Sequence, residues 1–174
     1  EKEHIDNNAA VREMLSKRGI VPENLPPADD VKKLQRKLEG DEKKILKNAK
    51  TFEKELAKCG VIILFGGTTE NHMLVIDTVK SYGITGKEAE KLLDEVGITI
   101  NKNVIPDDPR GPLDPSGVRI GVPAVTTRGM KEKEMKMLAG FIEETLRSNN
   151  DKKVLGSIRK EVKSLCKRFP VYKK

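Results

Sequence analysis

Few residues of this chain are placed to do chemistry, and those few narrow the possibilities quickly. The only histidines are His4 and His72. They form no Ser–His–Asp or Cys–His arrangement, and a hydrogen-bonding structural role is the expectation for His72. Cys59 and Cys166 each sit beside a lysine with no second Cys or His at metal-ligand spacing. They read as two reduced thiols, with a disulfide between them as the alternative. Asp107, Asp108 and Asp114 could form a cation loop, but Pro106, Pro109 and Pro112 break the required spacing, so a stiff solvated loop is expected. Gly66-Gly67 lacks the rest of a phosphate loop and reads as a turn. On residue type alone, Arg119 is a strand-end surface ion-pair partner and Asn103, in a long loop from Asn101 to Pro115, a loop residue bonding its own turn.

The elements that position these residues follow from periodicity. The 174 residues are 36% hydrophobic and 35% charged, with 3% aromatics and no Trp. The core must therefore lean on Leu, Ile, Val and Met. The segment 8–18 places Val11, Met14 and Leu15 on one helical face, and Gly19 closes it. A proline-rich connector over 21–27 excludes helix. A long helix is expected from 29 to 58, with Gly40 its weak point and Val31, Leu34, Leu38, Ile45, Ala49, Phe52 and Leu56 in a stripe that needs a partner. Beyond it come strands at 61–65, 72–77, 98–100 and 118–120. Thr85 and Glu88 form a capping box for a helix ending at Gly97, and further helices cover 131–147 and about 152–167. The fold class is α+β, a small antiparallel or mixed sheet packed on helices and preceded by a helical extension.

Charge is unevenly spread. The net charge is +7, yet Asp151 to Lys174 alone holds nine basic residues against two acids, while the other 150 residues balance. A basic C-terminal helix suits an anionic surface or nucleic acid, the plainer reading being a solvated face. Scarce aromatics there, only Phe169 and Tyr172, argue against single-strand binding. No apolar run spans a bilayer and no signal peptide is visible, so a cytoplasmic location without membrane contact is expected. The chain opens on Glu1 rather than Met, which leaves a start further upstream as the expectation.

Several motifs then occur in one order. They are Gly66-Gly67-Thr68 with Asn71-His72, Ile84 to Glu90, Gly97 to Asn103, Ser116-Gly117-Val118-Arg119-Ile120-Gly121, Pro123 to Gly129, and Leu165 to Pro170. From about residue 47 to 174 the chain resembles the C-terminal small domain of serine hydroxymethyltransferase, a fold-type I pyridoxal phosphate enzyme. That family moves a one-carbon unit between serine, glycine and tetrahydrofolate. The resemblance implies that Arg119 matches the arginine gripping the substrate carboxylate, a task a guanidinium fork performs bidentately. It implies equally that Asn103 matches a folate-contacting residue.

Departures accompany the likeness. Gly111-Pro112-Leu113-Asp114-Pro115-Ser116-Gly117 stands where the family has Ser-Pro-Phe-Val-Thr-Ser-Gly, and Asp114 adds a negative charge near Arg119 in sequence. The Gly-Gly-Thr turn has one extra residue and Glu70 in place of Asp. The family's cofactor lysine lies in a Thr/His-rich stretch of its large domain, absent here, so no pyridoxal phosphate is expected on this chain alone and no activity in isolation. The first segment, about 3–46, resembles the C-terminal tail of DNA-damage-inducible protein D. The expected organisation is thus a helical extension over 1–46 and an α+β domain over 47–174. Its partner would be a large-domain polypeptide, or a second copy meeting an exposed apolar face. The alternative is a non-enzymatic interaction module of a damage-response fusion.

Overall fold

The computed structural model describes residues 11–19, 31–67 and 71–171. The connector at 21–27, the helix restart before residue 31, the turn residues 68–70, His4 and Tyr172 lie outside them, as does the side chain of Val31. The chain divides into two compact units, Glu1–Leu38 and Glu39–Lys174. In the first, residues 11–17 are helical and close through Arg18 N–H to Leu15 O and Gly19 N–H to Ser16 O, both 3.0 Å.

Helix α1 runs Val31–Lys58 without a break at Gly40. Its stripe has two fates. Ala49, Phe52 and Leu56 are buried, whereas Leu34 is 45% and Leu38 62% exposed. The sequence spacing is continuous, but packing reaches only as far up the helix as half-buried Ile45.

The second unit is built on a three-stranded antiparallel sheet of order β1-β3-β2, with β1 at Met73–Asp77, β2 at Asn101–Asn103 and β3 at Gly117–Gly121. Leu74 faces Ile120 and Ile76 faces Val118 in register, and all four are buried. Period-two alternation therefore turns one sheet face into the core. The helices that cover it are α3 (Gly86–Glu95), α5 (Glu132–Arg147) and α6 (Lys152–Arg168), together with the later part of α1. Two short helices were not legible in the sequence: α2 (Thr78–Tyr82), capped by Asp77 Oδ1 accepting from Lys80 N–H at 2.9 Å, and α4 (Pro123–Thr127).

Two expected strands are corrected. Residues 61–65 form no strand; a single bridge sets Ile63 against Ile76, with Leu64 N–H to Val75 O at 2.9 Å and Asp77 N–H to Ile62 O at 3.1 Å. Phe65, Gly66 and Gly67 then take φ of 59°, 69° and 91°, which turns the chain away. Residues 98–100 are not a strand either. Gly97 at φ 85° donates to Asp94 O and Ile98 N–H reaches Leu93 O, both at 2.9 Å, so these residues still close α3. Pairing starts three residues later, at Asn101. The capping box is as expected, with Glu88 N–H to Thr85 Oγ1 at 3.2 Å and Thr85 N–H to Glu88 Oε2 at 2.8 Å. Edge strand β2 is fastened to α3, where the Lys102 N–H donates to Glu90 Oε1 at 3.1 Å.

The loop from 104 to 116 is organised by one carboxylate. Asp108 accepts from Ile105 N–H (3.2 Å), Arg110 N–H (3.0 Å), Ser116 N–H (3.0 Å) and Ser116 Oγ–H (2.7 Å). Burial works against the charge, but the two bonds from Ser116 and those from Arg110 and Ile105 outweigh it, holding Asp108 well below the usual carboxylate range. Because the folded value is depressed, this stabilisation is complete above about pH 4 and fades as acid drives the pH down through the folded value. Asp108→Asn, which turns an amide toward N–H donors, is expected to cost about 1–2 kcal/mol at neutral pH. In urea titrations its deficit relative to the parent should narrow below about pH 4. A deficit independent of pH would contradict this account.

Candidate substrate-binding face

Strand β3 lies at the centre of the sheet, so the register decides what surrounds Arg119. Val118 and Ile120 point into the core, and Arg119 between them points to the other face, where it is exposed. Val75 of β1 and Asn101 of β2 stand directly opposite it. Asn103, opposite Gly117, shares that face two residues along β2. The structure thus brings both sequence-selected residues onto one open surface. Among the described residues Arg119 has no acidic partner, so the ion-pair role open to a strand-end arginine is not filled. Asn103 Nδ2 donates to the Val104 carbonyl at 2.6 Å, the local bond expected from residue type, but Asn101–Asn103 form a strand rather than the start of a loop.

The surroundings of Arg119 are apolar toward β1, apart from Asp77 at the strand end, and polar toward β2, where Asn101 and Asn103 lie. Half-buried Val75 and Leu64 and the exposed side chains of Ile62 and Met73 lie on this side of the sheet by alternation. The charge on Asp114 does not stand alone, because Arg110 Nη1 meets Asp114 Oδ2 at 3.1 Å. The glycines flanking the arginine differ. A Cβ on Gly117 would lie 2.4 Å from Ile105 Cγ2 and 2.9 Å from Ile76 O, so that glycine is required by the sheet and the loop packed on it. On Gly121 a Cβ would meet nothing closer than 3.6 Å, which leaves room at that end.

No lysine shares this face within the three strands. Lys102 points to the opposite side, its amine 3.6 Å from Glu90 Oε2. The other lysine side chains among the described residues are solvent-exposed. A carbonyl-binding lysine needs a desolvated amine, so the residues present do not fit a covalently held pyridoxal phosphate. Asp107, Asp108 and Asp114 do not converge as a cation loop, the last two being spent on the loop itself and on Arg110, and no metal-binding cluster occurs among the described residues. His72 is exposed and its carbonyl accepts from Val122 N–H at 3.4 Å. Both cysteines are free thiols. No helix among the described residues is long and apolar enough to cross a membrane.

Sequence reasoning passed over a buried polar clamp. Asn48 is 3% exposed, and its Nδ2 donates to Thr126 Oγ1 at 2.9 Å and Met130 O at 3.0 Å, tying α1 to α4 and to the segment that follows it. A polar residue three positions after Ile45, on the inward face of an apolar stripe, was the available signal. A groove of about 650 Å³ runs beside this clamp, lined by Lys44, Asn48 and Met130 among others, and shares no residue with the Arg119 face. Two of its lysines are already matched, Lys44 with Asp41 and Lys47 with Glu132. Arg128, in the stretch that resembled the family, serves the fold: its Nε donates to Phe169 O at 2.8 Å and its Nη2 to Cys166 O at 3.3 Å, closing the end of α6.

A short antiparallel sheet with one face sealed by helices and Arg119 exposed on the other defines an α+β domain. The family model of serine hydroxymethyltransferase matches residues 31–142, and the chain belongs to that family. The match begins at Val31, within the segment whose sequence resembled the damage-inducible tail. The chain is similar to serine hydroxymethyltransferases of Francisella tularensis subsp. tularensis strain WY96-3418 and subsp. mediasiatica strain FSC147. It is 48% identical to each over 132 residues, which cover 76% of this chain. The same region is 31% of each relative, so the chain spans about a third of their length.

Proposed function

We propose that this chain is the small-domain portion of a serine hydroxymethyltransferase, inactive alone and completed by a cofactor-binding polypeptide seated on the open sheet face. Arg119 would grip the carboxylate of serine or glycine and Asn103 would face the folate, while the partner brings pyridoxal phosphate and the lysine that holds it. The carrying observation is the exposed guanidinium on the central strand, without an acidic partner among the described residues, with Asn103 on the same face of the sheet. Such a charge lacks a partner of its own and is preorganised for one supplied from outside. On this reading the domain proper runs over 47–174 behind a helical extension at 1–46, and the protein works in the cytoplasm.

The test is complementation. The chain is mixed with the preceding two-thirds of a Francisella relative and cofactor, and conversion of serine to glycine is followed with tetrahydrofolate. Neither piece alone should turn over; together they should, with Arg119→Ala losing at least about 100-fold in kcat/KM, on the scale of a charge-assisted pair. A cofactor absorbance band held on this chain by itself, or an Arg119→Ala mixture as active as the parent, would overturn the proposal. A second reading, an interaction module in which the N-terminal segment sets the function, is favoured by the exposed Val11, Met14, Leu34 and Leu38. It predicts a partner that binds residues 1–46 and ignores Arg119.

A further inference from the structure

We infer that the outer face of α6 is a docking surface for the phosphodiester backbone of double-stranded nucleic acid. This inference is independent of the Arg119 face. Advancing about 100° per residue, Lys152, Lys153, Arg159, Lys160, Lys163 and Lys167 fall within an arc of about 120°. The six are exposed and no acid lies within that arc. The only acid inside the helix, Glu161, sits outside the stripe. Lys152 is engaged by Glu95 Oε2 at 2.9 Å, and Arg159 feels Glu95 only at a distance. Lys153, Lys160, Lys163 and Lys167 have no acidic partner among the described residues. At 1.5 Å per residue, the row from Lys153 to Lys167 is about 21 Å long.

The shape of this charge selects its partner. A bilayer-binding amphipathic helix inserts its apolar stripe. Here that stripe, Leu155, Ile158, Val162 and Leu165, is buried in the core. Only a line of point charges is offered, which suits a linear polyanion better than a plane. Duplex DNA presents a charge about every 1.7 Å along its axis, so several phosphates fall within reach of the row. The stripe carries no aromatic side chain, and the nearest, half-buried Phe169, lies under the Arg168 guanidinium at 5.7 Å. Unpaired bases therefore have no stacking platform, and the duplex is favoured over a single strand. Ammonium groups that contact phosphates read no sequence, so binding is non-specific.

Fluorescence anisotropy with a mixed-sequence duplex of about 30 base pairs tests this. Neutralising four or five phosphates gives a log–log salt slope of about −4, and affinity should fall about 100- to 500-fold between 50 and 200 mM salt. The triple variant Lys160→Glu, Lys163→Glu, Lys167→Glu should abolish binding. The variant Lys43→Glu, Lys50→Glu, Lys54→Glu, with equal loss of net charge on α1, should retain it. Circular dichroism checks that both fold; if the first does not, its Gln counterpart should flatten the slope by about 2.7. Three results overturn the inference: no duplex binding at 50 mM salt, equal loss in both triples, or tighter uptake by phosphatidylserine vesicles at the same salt.

Discussion

Gly86→Ala is expected to lower the thermal midpoint of this chain by about 6–12 °C, corresponding to about 3 kcal/mol. Gly86 opens α3, and its N–H donates to Pro115 O at 2.7 Å, so helix and loop backbones are in contact. A Cβ there would lie 2.0 Å from Gly117 O, 2.9 Å from Gly117 C and 3.0 Å from Pro115 O. All three are backbone atoms, which cannot swing away as a flexible side chain would. Gly117 cannot retreat readily, because it is held between β1 and β2 and its own Cβ position is filled by Ile105. The substitution must pry α3 from β3 or strain the loop after Asp108. Differential scanning calorimetry reads the outcome, and Gly140→Ala, where a Cβ meets nothing within 4 Å, is the control. That control should be neutral or slightly stabilising, since Ala is the better helix former. A Gly86→Ala midpoint within a degree of the parent would mean that the helix–sheet approach is looser than described.

Phe52→Ala should cost about 3–5 kcal/mol, while Leu38→Ala, fourteen residues earlier on the same stripe, should change stability by less than about 0.5 kcal/mol. Phe52 is 2% exposed and among the largest fully buried side chains, whereas Leu38 is mostly in solvent. Truncation at Phe52 removes transfer free energy and leaves a void against residues that Asn48 and its partners keep from collapsing. Urea unfolding of both variants decides the matter. If Leu38→Ala proved as costly as Phe52→Ala, the upper part of α1 would have to be covered in solution, and the dependence of that cost on protein concentration would show whether a second copy covers it.

What could be read from the sequence was what is decided locally. The Thr85–Glu88 box, the close of α3 at Gly97 and the inward stripes of α5 and α6 need only a few consecutive residues to be right, and they are where their spacing put them. Strand limits depend on partners far away in the chain. Val61 to Phe65 is as apolar as any strand, yet only Ile63 finds a bridge, because the left-handed turn at Phe65 comes too soon. Ile98 to Ile100 has strand-like residues, but the helix closure consumes its first N–H. The candidate site was legible as Arg119 and Asn103 through motif resemblance. That they share one face of the sheet depends on the β2–β3 register, and that Asp114 is neutralised depends on Arg110, four residues away in a loop with no periodicity to reveal it.

The bond from Lys102 N–H to Glu90 has a consequence for how copies of this protein can meet. In a three-residue rim strand whose end residues are committed to β3, that N–H is the donor turned outward, and a carboxylate already occupies it. An incoming strand would find an acceptor where it needs a donor, the kind of blunting that keeps sheet rims from templating amyloid-like growth. Copies are left free to stack across the bare surface around Arg119, but not to zip rim to rim into a continuous ribbon.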